Sequence, residues 1–240
     1  MSTRLLFTLG SFLLFTTCGA QPSDDVPASI YYRTGKASWG GIGKFYLGRE
    51  ISHVMGHLGA DWLERDEREA EEGVSKAIKN MQLKGDEVVA DIGAGSGYYA
   101  FRVAQELPEG KVLAVDLQPE MLAIMQRKMN EEQIKNVALV QGTEISPNLA
   151  EHSLDMVFMV DVYHELSYPR EMMQEIVAAL KPNGRFILLE YRKEDPGVPI
   201  KELHKMSLKQ ATKEMNAVGL RLKENIDNLP WQHFMVFVKE

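Results

Sequence analysis

The stretch Val88-Val89-Ala90-Asp91-Ile92-Gly93-Ala94-Gly95-Ser96-Gly97-Tyr98-Tyr99-Ala100 decides the fold. Its apolar, β-branched opening predicts a buried parallel strand. Three glycines spaced two apart follow, and then Ala100, Val103, Ala104 and Leu107 fall on one face of a helix. Glycine lets backbone approach a ligand closely, and the free N–H groups at a helix start attract negative charge. The next apolar run, Val112 to Val115, closes on Asp116. A βαβ nucleotide fold places its ribose-binding acid about 20 residues beyond the loop.

The third glycine narrows the ligand. A dinucleotide fingerprint, G-x-G-x-x-G, wants glycine at position 98, where this chain has tyrosine after Gly97. The pattern Asp91-x-Gly93-x-Gly95-x-Gly97 resembles motif I of the class I S-adenosylmethionine-dependent methyltransferases, and the resemblance extends over 74–240. It implies S-adenosylmethionine as cofactor. Gly93, Gly95 and Gly97 would approach its methionine part, Asp91 would orient the loop, Asp116 would accept from both ribose hydroxyls, and Leu117 would pack on the adenine. Relatives carry Gly-Asp-Ala after the third strand. Gly142-Thr143-Glu144 stands there in this chain, so Thr143 or Glu144 takes over the adenine contact. Asp161 falls where the family places a residue facing the methionine end or the methyl group.

Outward from the loop, strands and helices alternate. Helices are predicted over 74–83, to Leu107, from Pro119 and over Pro169–Leu180, and strands over 112–116, 137–140, 154–160 and 185–190. A helix over 200–218 precedes two closing strands, 220–226 and 234–238. This is an α/β chain with a Rossmann-like, seven-stranded, mostly parallel sheet, helices on both faces and an N-terminal helical extension. The resemblance makes the last strand antiparallel.

Composition agrees with a globular enzyme-sized chain: 240 residues, 45% hydrophobic, net charge -7. No lysine- or arginine-rich block points to nucleic acid. Arg4, the apolar run Leu5–Phe15 and the small residues after it predict a signal peptide over 1–20. Cys18, the only cysteine, is either part of a cleavage site or the lipidated residue of a lipoprotein, the one route to a membrane. The expected location is the periplasm or the bacterial envelope. A linker or irregular arm follows over 21–44.

Residues 45–73 read as a helical lid. Leu47, Ile51, Val54, Met55 and Leu58 fall at helical spacing, and 61–72 reads as a solvated helix of paired charges. The resemblance offers this segment as a source of substrate contacts, with Tyr46, Arg49, Glu50, His53, His57, Trp62 and Arg65 as candidates. His53 and His57 are four apart but lack a third ligand, so no metal site is assigned. Ligands of open α/β sheets sit beyond the carboxyl ends of the strands. The fourth strand delivers Tyr163, His164 and Glu165 there, and the fifth delivers Tyr191 and Arg192. His164 is the candidate base, for its ordinary pKa near neutrality, flanked by Tyr163 and Glu165; His204, Lys205 and His233 stand behind it. The reading is methyl transfer to a small-molecule or envelope acceptor. A non-catalytic nucleoside-binding protein and an aminopropyltransferase on the same fold are the alternatives.

Overall fold

The computed structural model describes Met1 and residues 30–240. The expected leader and most of the linker lie outside the described residues. The described residues build two sheets. The large one follows the order β10-β11-β8-β7-β4-β5-β6, with β4 at Val88–Ile92, β5 at Lys111–Asp116, β6 at Val137–Gln141, β7 at Leu154–Val160, β8 at Leu180–Arg192, β10 at Leu220–Asn225 and β11 at Gln232–Lys239. A two-residue strand, β9 (Lys205–Met206), pairs with the end of β8. Strands β4 to β8 run parallel, and β11 is antiparallel to both β8 and β10. The seven-stranded expectation holds, antiparallel closing strand included.

Neighbouring residues of each central strand serve opposite faces, as the pleat requires. Met156, Phe158, Ile187 and Leu189 pack with α3 (Val74–Asn80) and α4 (Tyr98–Gln105) in one core. Val157, Met159, Phe186 and Leu188 join α6 (Pro169–Ala179) and α7 (Leu208–Asn216) in the other. Met121 and Met125 of α5 (Pro119–Glu132) are buried, so these methionines are core residues.

Two expectations fail. The N-terminal extension is mainly a small antiparallel sheet, β1 (Tyr32–Thr34), β2 (Gly41–Tyr46) and β3 (Arg49–Ser52), followed by only short helices, α1 (Ala60–Leu63) and α2 (Arg68–Glu72). The hairpin turns on Leu47-Gly48, both at positive φ (48° and 100°). Two consecutive residues at positive φ match the twist of the flanking strands. The supposed helical stripe is not a buried face: Val54 and Leu58 are exposed, whereas Tyr46 and Ile51 are fully buried. Residues 200–218 are likewise not one helix. A 3-10 turn (Glu202–His204) and β9 precede α7, which is capped by Ser207, whose hydroxyl accepts from the Gln210 amide.

Candidate active site

The carboxyl ends of β4, β5, β6, β7 and β8 open into one cavity of about 850 Å³, roofed by residues 53–72 and by the segment 199–204. Its floor is the glycine loop. Gly93 and Gly95 adopt φ of +72° and +56°, and neither position has room for a side chain. A Cβ on Gly93 would strike Val162, and one on Gly95 would lie 2.6 Å from Leu63 of the roof. The loop amides Gly93 and Ala94 both donate to the Val115 carbonyl, at 2.8 and 3.0 Å.

Three carboxylates gather beneath and beside this loop. Asp116 is buried; its Oδ2 accepts from the Gly95 amide at 2.8 Å and its Oδ1 from the Gln118 amide at 2.9 Å. Each oxygen retains a lone pair for a hydroxyl donor. Burial raises its pKa, against the pull of those amides. Asp91 lies under the loop, outside the cavity lining. Burial, and then the charge of Asp116, push it up to about 8, with Arg68 opposing. Asp161 adopts φ +53° at the end of β7. Its Oδ2 accepts from Gln232 at 2.6 Å, and its Oδ1 is buried without a partner at the cavity wall. Burial raises its pKa well above the usual range, helped by the charges of Glu72 and Glu190. Asp116 and Asp161 thus turn acceptor oxygens to the cavity, and a cation bound there would draw their raised pKa values down.

The roof is pinned rather than loose. Gln118 accepts from the His57 amide at 2.8 Å and donates to the Met55 carbonyl at 3.0 Å. The Met55 amide donates to Glu165 at 3.1 Å, and Ser96 of the glycine loop meets Glu64. The charged run 61–72 is no solvated helix. Glu72, fully buried, takes Arg65 at 2.6 Å, Arg68 at 2.7 Å and the Tyr191 hydroxyl at 2.8 Å. The Arg65 guanidinium also lies 3.9 Å over the Trp62 ring.

On the far wall, His164 is buried and both of its ring nitrogens have partners. Nδ1 lies 2.6 Å from Glu190 and Nε2 lies 3.1 Å from Nδ1 of His204. Burial disfavours the imidazolium, but the Glu190 and Glu165 charges outweigh it and push the pKa up to about 10. Glu165 is held down to about 2, against the cost of burial, by His164 and His204. The candidate base therefore has both ring nitrogens engaged, Nδ1 with Glu190 and Nε2 with His204.

The cavity brings together Gly93, Gly95, Asp116, Leu117, Thr143, Glu144, Asp161, His164, Glu165, Tyr191, His53, Trp62 and Arg65. Gly97 stands behind it, at the start of α4. Thr143 spends its hydroxyl on a turn to Ser146. Several candidates fall elsewhere. Tyr163 is buried behind the wall, its ring 5.5 Å from the Arg49 guanidinium. Arg49 makes a paired contact with Glu214 at 2.8 and 2.9 Å and donates to the His164 carbonyl at 3.1 Å, so it positions the 163–165 turn instead of reaching substrate. Glu50 caps the small sheet through Ser38 and Gly43. Tyr46 is core, His57 turns toward Glu120 at 4.0 Å, and Arg192 pairs with Asp227 at 2.7 Å. Sequence reasoning missed Arg68, Glu72, Gln118 and Leu63 as cavity residues; the i,i+4 spacing of Arg68 and Glu72 was the one available signal.

The residues present fit S-adenosylmethionine. The cavity falls within the range of small-molecule sites and toward its upper end. Asp116 retains acceptor capacity for a ribose, and Asp161 offers an unpartnered oxygen to positive charge.

Residues 90–186 match the family model described as a methyltransferase domain. An uncharacterized methyltransferase of Bacillus subtilis, YcgJ, is 32% identical over 135 residues, covering 55% of this chain and 53% of that one. A demethylmenaquinone methyltransferase of Lactococcus lactis is 29% identical over 126 residues, covering 51% and 49%. The chain thus spans about half the length of these curated relatives. A SAM-dependent methyltransferase from Aquifex aeolicus has the same fold, with TM-score 0.72 at 23% identity, covering 77% of this chain and 98% of that one. The match over 90–186 takes in the glycine loop, Asp116 and Asp161, and the Aquifex protein shares the fold that brings them together.

Proposed function

We propose that this chain transfers the methyl group of S-adenosylmethionine to a small molecule or to a component of the bacterial envelope, after export directed by residues 1–20. The observation that carries the reading is the floor of the cavity: a glycine loop without room for side chains, between Asp116 with lone pairs to spare and Asp161 with an unpartnered buried oxygen. When bound, S-adenosylmethionine supplies an electrophilic methyl group on a sulfonium centre.

The protein's share of such a displacement is placement and exclusion of water. Asp116 binds and orients the ribose end. Asp161 faces the positive end from the methyl side. Leu63, packed on Gly95, and the pins at Gln118 and Glu165 close the roof over the floor. The acceptor enters past His53 and Trp62, exposed side chains of the cavity lining, toward His164 and Glu165. The leader, with Cys18 either at a cleavage site or lipidated, supports an envelope location.

Calorimetric titration of the protein with S-adenosylmethionine tests the reading. Binding of one molecule per chain, displaced by S-adenosylhomocysteine, is expected, followed by labelled methyl transfer to an envelope extract. Absence of binding by either compound overturns the methyltransferase reading. Binding without transfer to any extract turns it into the nucleoside-receptor alternative.

A further inference from the structure

The far wall carries a cluster that methyl transfer alone leaves unexplained. Nε2 of His164, Nδ1 of His204 and Oε1 of Glu165 lie 3.1, 3.5 and 3.7 Å from one another. All three residues line the cavity. They come from two loops at neighbouring strand ends, the turn after β7 and the turn before β9. A tetrahedral zinc ion with bonds of about 2.1 Å holds its ligand atoms about 3.4 Å apart, so these three atoms already span one face of such a site.

The surroundings have the form a metal site needs. Nδ1 of His164 faces the fully buried Glu190 at 2.6 Å, and Glu190 also accepts from the His164 amide at 3.2 Å. A carboxylate on the far nitrogen of a ligating histidine fixes ring orientation and strengthens the ligand. The second oxygen of Glu165 is occupied by the Met55 amide, which leaves Oε1 turned to the cluster. The Arg49 guanidinium and the Ser52 hydroxyl hold the His164 carbonyl at 3.1 and 3.4 Å, fixing the turn that carries two of the three groups. The His53–His57 pair takes no part in this cluster.

We propose that His164, His204 and Glu165 bind a divalent transition metal of the zinc type, with the fourth position open to the cavity. Two imidazoles and one carboxylate suit zinc, and the closed-shell ion suits a reaction without electron transfer. Resting on the methyltransferase reading, the acceptor class follows: a hydroxyl compound whose oxygen takes the open position. Metal ligation lowers the pKa of such a hydroxyl. Its proton leaves to solvent, the oxygen forms the bond to the methyl carbon, and the carbon–sulfur bond breaks with its electron pair remaining on sulfur.

The test is metal content, which needs no activity. The purified protein is stripped with a chelator, then titrated with zinc, and separately with cobalt as a coloured probe. Wild type is expected to bind one zinc per chain and to give the intense visible bands of low-coordinate cobalt. His204→Ala, at a partly exposed loop position, should lose at least tenfold in zinc affinity and most of the cobalt colour with the fold intact by circular dichroism. Glu190→Gln should lose roughly 10–100-fold while still binding. His53→Ala should bind as wild type does. Wild type that takes up no zinc, His204→Ala that retains full affinity, or His53→Ala that loses it overturns the assignment. S-adenosylmethionine is titrated into the metal-free protein in parallel. Cofactor binding without zinc binding removes the metal site and spares methyl transfer; zinc binding without cofactor binding does the reverse.

Discussion

The floor and the roof of the cavity are built by different logics. Apart from Asp161, the floor is local: Asp91 to Gly97 and Asp116 lie within one strand–loop–helix–strand unit, and backbone amides do much of the work. The roof is assembled across the chain. Glu72 meets Tyr191, Arg49 meets Glu214, and Met55 meets Glu165, pairs separated by 119, 165 and 110 residues. A floor of this kind survives changes in its surroundings, while the roof depends on buried charges balancing one another.

The largest effect should therefore come from unbalancing the roof. Glu72→Ala leaves the buried Arg68 guanidinium without its carboxylate, Arg65 with Glu71 alone, and the Tyr191 hydroxyl without its acceptor. Breaking a buried pair in this way costs about 3–5 kcal/mol, to be read as a lowered urea midpoint at unchanged slope. A loss under about 1 kcal/mol, the worth of an exposed pair, would make the run 61–72 the solvated surface its charges suggest.

Next comes the floor. Asp116→Ala removes the acceptor of the ribose hydroxyls and that of the Gly95 and Gln118 amides. Charged hydrogen bonds contribute about 1.5–3 kcal/mol, so S-adenosylmethionine affinity should fall by about 10–150-fold in calorimetry, with little change in global stability. Unchanged affinity would take Asp116 out of the site.

Asp91 separates the two logics by pH. Its folded pKa of about 8 lies above the value near 3.9 of an unfolded chain. Between these limits the folded state holds a proton that the unfolded state has released. Stability from this group is full below about pH 4 and is lost as pH rises through about 8. Asp91→Asn abolishes that loss. Its melting temperature should exceed that of wild type at pH 9 by at least a few degrees, since each kcal/mol shifts a chain of this size by roughly 2–4 °C, and the advantage should vanish at pH 4. An advantage independent of pH would show that Asp91 is charged throughout.

What the sequence disclosed follows the same division. The glycine spacing, Asp116 and the parallel strands were legible because each is set by neighbours in the chain and by a period that burial enforces. The lid was misread because apolar residues 47–58 satisfy a helical spacing by coincidence, whereas Leu47-Gly48 reverses the chain and sets a two-residue period instead. Tyr163 was misplaced because adjacent residues of a turn point opposite ways: His164 faces the cavity and Tyr163 the core. His204 was overlooked as a partner of His164 because 40 residues separate them, and no periodicity links two loops.

The smallest effect is the finest test of where floor ends and roof begins. Gln118 sits one position past Leu117 at the floor, yet its side chain serves the roof by holding Met55 and His57. Gln118→Ala deletes two hydrogen bonds of about 1 kcal/mol each that bear on docking of the roof and not on the core. Global unfolding should move little, because the roof's other attachments at Glu72, Glu64 and Glu165 remain. The His57 amide, its acceptor gone, should exchange with deuterium about 5–30-fold faster, the change that roughly 1–2 kcal/mol of local opening produces. Cofactor affinity should fall by less than in Asp116→Ala, since the roof excludes water without touching the ribose acid. Equal losses in the two variants would mean that the roof holds the cofactor as directly as the floor does.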